Sequence, residues 1–366
     1  MSGTYAFQKK RVEKLRELMA ESRIDAFLVP TGPNFFYFTG FETESHERLT
    51  LMFITPDDQF ILAPKLMEEQ LRLNSWVEDV RPWADDQNPH HIARDYLESN
   101  RASMVAIDGV LPYFHYAPLF HNSSSKEVLG DGFTASLRMV KDREEMDNIS
   151  TAIRKSEEAL KLTIDSVTGG MTEKEVATRL EENFKKKGLD ALAFATIVAA
   201  GENSSIPHHD PTDRKIARYE PIIIDFGGRY RGYASDTTRT FFIDRAKPEM
   251  EEIYEIDREA QENTLEALNS ETTYADADRI AREIISRKGY GNNFIHRLGH
   301  GLGISVHEDP YLVPDNRQPM KENSVFTIEP GIYLPGRGGV RIEDTVYFQN
   351  GKCRAFNMLP KSISYI

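Results

Sequence analysis

Apolar and polar positions follow one rhythm over the first third of the chain and another over the rest. Phe7, Val12, Leu15, Leu18 and Met19 fall near helical spacing, and the apolar run 26–30 is closed by Thr31-Gly32-Pro33. The runs 49–54 and 59–63 flank Thr55-Pro56-Asp57-Asp58, a turn by composition, which predicts a hairpin. Trp76 and Trp83 read as packing residues, and His90-His91 as the solvated start of a helix. Such alternation of helix and strand predicts an α/β domain. The polar segment 122–125 and Gly130-Asp131-Gly132 loosen the chain, so the expected domains are 1–135 and 136–366.

The second rhythm begins at Lys141. A long charged helix is expected to run to about Val167 and stop at Gly169-Gly170. Another starts at Thr172, where Thr172-Glu173-Lys174-Glu175 is a capping box, and ends at Gly188. Strands are predicted over 194–200, 221–227 and, as one long element, 233–243. The order then repeats: a helix from Pro248 to about Asn269, another from Thr273 with Asp276 in the box position to Gly289, and strands over 324–334 and 340–348. Two helix–helix–strand–strand units predict an α+β domain. Its helices would cover one face of a mostly antiparallel sheet, about a pseudo-twofold axis through a central cleft.

Composition narrows the class. At 366 residues, 40% hydrophobic and 28% charged, the chain suits a globular protein with two unequal domains. Its 45 basic against 58 acidic residues give −13, which argues against nucleic acid and anionic membrane as partners. No apolar run approaches the ~20 residues that span a bilayer. The basic stretch Lys9-Lys10-Arg11 has no apolar run after it, so no secretory signal is read. One cysteine, Cys353, cannot form an internal disulfide, and a cytoplasmic location is expected. Lying between Lys352 and Arg354, it reads as a bystander thiol.

Several acids stand where an apolar strand leaves no room for surface charge. Asp225 ends Pro221-Ile222-Ile223-Ile224, and Asp236 follows on the next strand. An unbulged hairpin over 227–232 predicts the two acids directly opposite each other, with Cβ atoms roughly 5 Å apart. Glu329 and Glu343 repeat the arrangement about Gly336. Four carboxylates crowded together cannot all ionise without a cation. One dication leaves −2; two give neutrality. Gly299-His300-Gly301 offers an imidazole on a backbone that can approach closely, and oxygen-rich ligation with one imidazole suits Mn²⁺, Co²⁺, Fe²⁺ or Zn²⁺. A metal pair can generate hydroxide and clamp a tetrahedral intermediate. The His300 segment lacks G-x-G-x-x-G spacing, and His307-Glu308 is not followed by a second histidine, so neither motif applies. A single strand acid is most often a surface ion pair and a lone histidine structural. Two mirrored acid pairs plus a Gly-His-Gly loop are hard to explain that way.

The blocks Asn34-Phe35-Phe36-Tyr37-Phe38-Thr39-Gly40-Phe41, Leu137-Arg138-Met139-Val140-Lys141, Asp225-Phe226-Gly227, Ser235-Asp236-Thr237-Thr238-Arg239, Ile328-Glu329-Pro330-Gly331 and Arg341-Ile342-Glu343-Asp344, with the Gly-His-Gly loop, resemble the "pita-bread" metallopeptidases. The likeness is to the prolidase and aminopeptidase P branch and covers essentially the whole chain. It implies a creatinase/prolidase-type N-terminal domain before a pita-bread catalytic domain. Asp225 would chelate one ion, His300 and Glu329 the other, and Asp236 and Glu343 would bridge. His208 matches a substrate-binding histidine, His307 one that hydrogen-bonds the scissile region, and Arg341 a supporting arginine. His296 and Tyr333 match pocket-lining positions, while His209 reads as a surface residue.

The resemblance further implies two divalent metal ions, Mn²⁺ or Co²⁺ ahead of Zn²⁺ or Fe²⁺. It implies hydrolysis of Xaa-Pro bonds as a dipeptidase or an aminopeptidase, on proline-containing di- or short peptides, by a homodimer. Some relatives carry an arginine four residues after the second cleft histidine to hold the substrate's C-terminal carboxylate. Here that position is Tyr311, which leaves dipeptides and longer peptides both open. The rival readings are a catalytically inactive binding protein on the same fold and a metal-free hydrolase of the creatinase type. Five intact ligand positions argue against both. A methionine aminopeptidase has no place for the leading domain.

Overall fold

The computed structural model describes residues 5–43, 47–121 and 123–366, so Asn122 of the loosened segment lies outside the described residues. The chain divides into two compact units, Met1–Arg138 and Met139–Ile366.

In the first unit the strand Ala26–Pro30 is buried at every residue, as an uninterrupted apolar run requires. It pairs antiparallel with Leu51–Ile54 and parallel with Met104–Ile107 at the centre of a six-stranded mixed sheet. Leu51–Ile54 and Gln59–Pro64 form the expected hairpin. Ala93 and Leu97 of the helix Pro89–Ser99 pack with Phe53 and Phe60. That helix starts as its sequence suggests, with Asn88 accepting the His90 and His91 amides at 3.0 and 3.2 Å. His90 is not simply solvated, however: its Nε2 lies 3.0 Å from His115 Nδ1. Trp83 is buried, and the Trp76 indole donates to the Phe38 carbonyl at 2.7 Å.

The second unit repeats one local plan. Helices Arg143–Ile164 and Glu173–Lys186 open its first half; Pro248–Ala267 and Tyr274–Arg287 open its second. The second helix of each pair is 14 residues long and begins with a two-way capping box, Thr172 with Glu175 and Thr273 with Asp276. Val176 and Leu180 pack on Ile222 and Ile224 in one core. Ile253, Ala277 and Ala281 pack with Phe326 and Val346 in the other. The main ladders are antiparallel: a four-stranded sheet around Pro221–Phe226 and Thr237–Phe242, and a five-stranded one around Val325–Ile328 and Asp344–Gln349. Only the short strand Ser364–Tyr365 joins its neighbour in parallel among the described residues of this unit.

Three expected long strands are each broken in two. The stretch 233–243 splits into Tyr233–Ala234 and Thr237–Phe242, 324–334 into Val325–Ile328 and Gly331–Leu334, and 340–348 into Gly338–Arg341 and Asp344–Gln349. The gaps contain Asp236, Glu329 and Glu343. Backbone leaves the ladder where a side chain is turned toward the cleft, and Pro330 at one gap has no amide to contribute. Strand 194–200 shortens to Ile197–Ala200.

Candidate metal centre

The first hairpin turns at Arg231-Gly232, whose φ values of 50° and 81° mark a two-residue turn with both central residues left-handed. Its centre therefore lies one residue later than the midpoint of the two acids. Asp225 pairs with Thr238, not with Asp236, which corrects the expected face-to-face pairing. Asp236 instead falls diagonally across the ladder on the same face. Opposite it, Gly227 permits an approach no side chain could: a Cβ there would meet the Ser235 carbonyl oxygen at 2.1 Å. In the second hairpin Ile328–Asp344 and Gly331–Arg341 keep one register, in which Glu329 and Glu343 fall opposite each other.

These elements bring Asp225, Asp236, His300, Glu329 and Glu343 to the wall of one cleft of about 500 Å³, which His208, His296, His307 and Arg341 also line. Ligand atoms of Asp236, His300 and Glu343 lie within 4.8 Å of one another. His300 Nδ1 donates to the Gly301 carbonyl at 3.1 Å, so its Nε2 presents a lone pair to Glu329 Oε1 at 3.1 Å and Asp236 Oδ2 at 3.7 Å. Acceptors facing each other at such distances need a proton or a cation between them.

Charge tells the same story. Burial, then the charges of Glu343 and Asp225, push Asp236 far above the usual carboxylate range. Burial and then Glu329 and Asp225 do the same to Glu343. Burial raises Asp225 against the opposing pull of Arg341. Glu329 goes the other way: burial alone would raise it, but with a proton on His300 Nε2 that ring's hydrogen bond and charge hold it at about 2. Asp225 Oδ1 and Glu343 Oε1 are buried without a hydrogen-bond partner among the described residues. Carboxyl oxygens without a donor, gathered around an imidazole and made costly to ionise by one another, are a donor set that fits divalent ions.

Around the acids runs a chain of oriented donors. Arg341 Nη2 donates to Asp225 Oδ2 at 2.7 Å, Nη1 to the Tyr333 hydroxyl at 2.8 Å, and Nε to Thr238 Oγ1 at 3.1 Å. The Thr238 hydroxyl donates in turn to Glu343 Oε2 at 2.7 Å. The Tyr333 hydroxyl lies 3.0 Å from His296 Nε2, whose ring donates through Nδ1 to the Arg297 carbonyl at 2.7 Å. Tyr333 is 2% exposed and stands behind the cleft wall rather than on it. Burial pushes its phenol up and His296 down, so the phenol donates and the imidazole accepts.

His307 stacks edge-on against His300 with ring centroids 4.0 Å apart. Burial, with His300 and Arg297 beside it, pushes it down to about 4, so it enters the cleft as a neutral ring. His209 is not a surface residue. Its side chain is 10% exposed, and Nε2 donates to the buried carboxylate of Glu173 at 2.9 Å. Glu173 also accepts from the amides of Ala200 and Thr212, pinning both ends of the loop that carries His208 to the cleft. Cys353 carries no lowered pKa despite its basic neighbours; burial pushes it up to about 12.

Sequence reasoning missed Thr238 and Arg297. Thr238 lay within a quoted block, but nothing local marks a threonine as a relay. Arg297 is three residues before His300, lines the cleft, and holds its guanidinium 4.4 Å from the Tyr311 ring centroid.

Residues 147–350 match metallopeptidase family M24, and residues 11–140 match the creatinase/prolidase N-terminal domain. An Xaa-Pro dipeptidase of Pyrococcus furiosus is 36% identical over 348 residues, 94% of this chain and 97% of that protein. The structure of a prolidase from Thermococcus sibiricus superposes with a TM-score of 0.92 at 34% identity, covering 98% of this chain and 99% of that one. That of an X-Pro aminopeptidase from Thermotoga maritima superposes at 0.87 and 33%, covering 97% and 99%. The acid-lined cleft thus sits on a chain that belongs to metallopeptidase family M24.

Proposed function

We propose that the protein hydrolyses the bond before proline in Xaa-Pro peptides, with Asp225, Asp236, His300, Glu329 and Glu343 as the ligands of two divalent ions. The observation that carries this reading is the donor set itself: four acids, Asp236 and Glu343 buried and Asp225 and Glu329 partly so, and an imidazole on one cleft, with two carboxylate oxygens left without a donor. Relatives named Xaa-Pro dipeptidase, prolidase and X-Pro aminopeptidase support the substrate class. Mn²⁺ or Co²⁺ suits this set first, Zn²⁺ or Fe²⁺ second. When bound, such ions supply an acidified water and a Lewis acid at the scissile carbonyl.

The chain's own residues do the rest. Arg341 holds Asp225 in place, and Thr238 holds Glu343. A bond to proline has no amide N–H, so recognition must come from ring shape and from the carbonyl oxygen that gains charge. His307, neutral and beside His300, is the donor to that oxygen, and His208 closes on the proline side. Phe194, Ile197 and Val306 give the cleft apolar wall that excludes water.

Arg297 decides substrate length. Among the described residues no carboxylate pairs with its guanidinium, which stacks on Tyr311 and faces the cleft. A free C-terminal carboxylate two residues into the substrate supplies the missing anion, which favours dipeptides. The test compares Xaa-Pro with its C-terminal amide and with Xaa-Pro-Xaa. A charged hydrogen bond worth about 1.5–3 kcal/mol gives the free acid a roughly 10- to 100-fold advantage in kcat/KM, erased in Arg297→Gln. Equal turnover of acid, amide and tripeptide would establish an aminopeptidase instead.

Residues 1–135 and 136–366 are read as the two domains of a cytoplasmic homodimer, the single cysteine fitting a reducing compartment. A monomer in sedimentation velocity would rule out the assembly.

A further inference from the structure

His307 has no hydrogen bond to its ring among the described residues, only an edge contact with His300. A side chain asked to meet one oxygen atom must still be held to a fraction of an ångström. Its backbone is where the restraint lies. The next residue, Glu308, folds its carboxylate back inside the loop: Oε2 accepts the Ser305 amide at 3.3 Å, and Gly303 passes so close that a Cβ there would meet Oε1 at 2.6 Å. Oε1 is met by Lys141 Nζ at 2.9 Å, with the lysine side chain 0% and the glutamate side chain 9% exposed.

Lys141 is itself anchored on the metal-ligand side. Its amide donates to the Asn323 carbonyl at 2.9 Å, and Val140 bridges Ser324, the residue before the strand Val325–Ile328 that leads into Glu329. One buried ammonium therefore links the strand of a ligand acid to the loop of a cleft histidine 166 residues further along the sequence. Two methionine-like stems would fill the same space without desolvating two charges, so packing alone does not call for the pair.

We propose that Lys141 and Glu308 are a positioning pair that fixes His307 relative to the acids, setting kcat while leaving KM and metal content alone. This rests on the reading of His307 as the donor to the scissile carbonyl, and the test separates the two. Lys141→Met, Lys141→Arg, Glu308→Gln, His307→Ala and the double variant Lys141→Met/His307→Ala are compared on an Xaa-Pro dipeptide. Metal content is measured by mass spectrometry of the purified proteins.

Lys141→Met is expected to keep the wild-type metal content and lose roughly 10- to 100-fold in kcat with KM within about twofold. Lys141→Arg recovers part of the loss. In the His307→Ala background Lys141→Met costs almost nothing further, because the group it positions is gone. If Lys141→Met fails to fold, Glu308→Gln, which keeps the shape of the buried side chain, carries the same expectations alone and in the His307→Ala background. Equal losses with and without His307, or a fall in metal content that tracks the fall in kcat, would overturn the pair's role. A His307→Ala enzyme with wild-type kcat would instead remove the reading of His307.

Discussion

Glu343 and Asp344 are neighbours in sequence, equally buried at 1% exposure, and opposite in electrostatic fate. Glu343 turns to the cleft, where burial and other acids push it far up, and Oε1 finds no partner. Asp344 turns the other way. There Arg239 Nη2 at 2.7 Å and Lys361 Nζ at 2.9 Å outweigh burial and hold it below the usual carboxylate range. The protein neutralises one acid with its own cations and leaves the next without one. Buried charge, by itself, does not mark a metal site; what sets the proposed one apart is that several acids without a protein counter-ion converge on one imidazole.

The strongest way to break this contrast is Glu343→Gln. Removing an acid that has no protein counter-ion should cost little in stability but lose metal. With it should go at least about 10³-fold in activity, since a catalytic ion contributes several kcal/mol. Atomic absorption and kcat/KM would check it; full metal content with full activity would sink the assignment. Asp344→Asn should show the reverse signature. Breaking a buried pair costs about 3–5 kcal/mol, and the low end applies because Arg239 keeps the carbonyls of Thr238, Leu359 and Pro360 as acceptors. Denaturant unfolding measures the loss, while the folded fraction should bind metal as the wild type does. Identical signatures for the two variants would erase the contrast.

Glu173 sharpens it with a third kind of buried acid, satisfied mainly by hydrogen bonds. Burial would raise it, but donors from Thr212, Ala200, His209 and Asn203 outweigh that and hold it low. Glu173→Gln should cost about 1.5–3 kcal/mol at neutral pH. A depressed folded pKa contributes stability that is present above the unfolded value of roughly 4.3 and is lost as pH falls through the folded one. The stability gap between wild type and variant should therefore narrow steadily as pH is lowered from 6 to 3. A constant gap would mean the carboxylate's charge does not matter there.

How much of this was readable beforehand follows the range of the interactions. Capping boxes at Thr172 and Thr273 involve residues three apart, and both helices begin where they were expected. The register about Gly336 was legible because the turn is centred where the acids are. About Arg231-Gly232 the turn centre was missed by one residue and the pairing therefore by two, because a left-handed arginine ahead of the glycine moved the turn. The strand breaks at Asp236, Glu329 and Glu343 went unseen because periodicity rewards continuity. His209 was misjudged because its partner Glu173 lies 36 residues earlier, and Lys141 went unremarked because Glu308 lies 167 residues away. Local chemistry can be read from a string of letters; which distant side chain answers it cannot.

The two turns also act as rulers. Each fixes how many residues separate a pair of acids, and each residue added to a strand reverses the face that all later side chains present. Variation in this protein should therefore be intolerant of length at Arg231-Gly232 and Gly336, and limited at the left-handed Gly232 and Gly336 to residues that accept a positive φ. A single inserted residue would turn Asp236 or Glu343 toward the helices, and a duplication of two would restore the facing but carry the acid about 7 Å along the ladder. Lineages of this chain are expected to keep the residue count at these corners and to place insertions in loops that do not set the spacing of two acids.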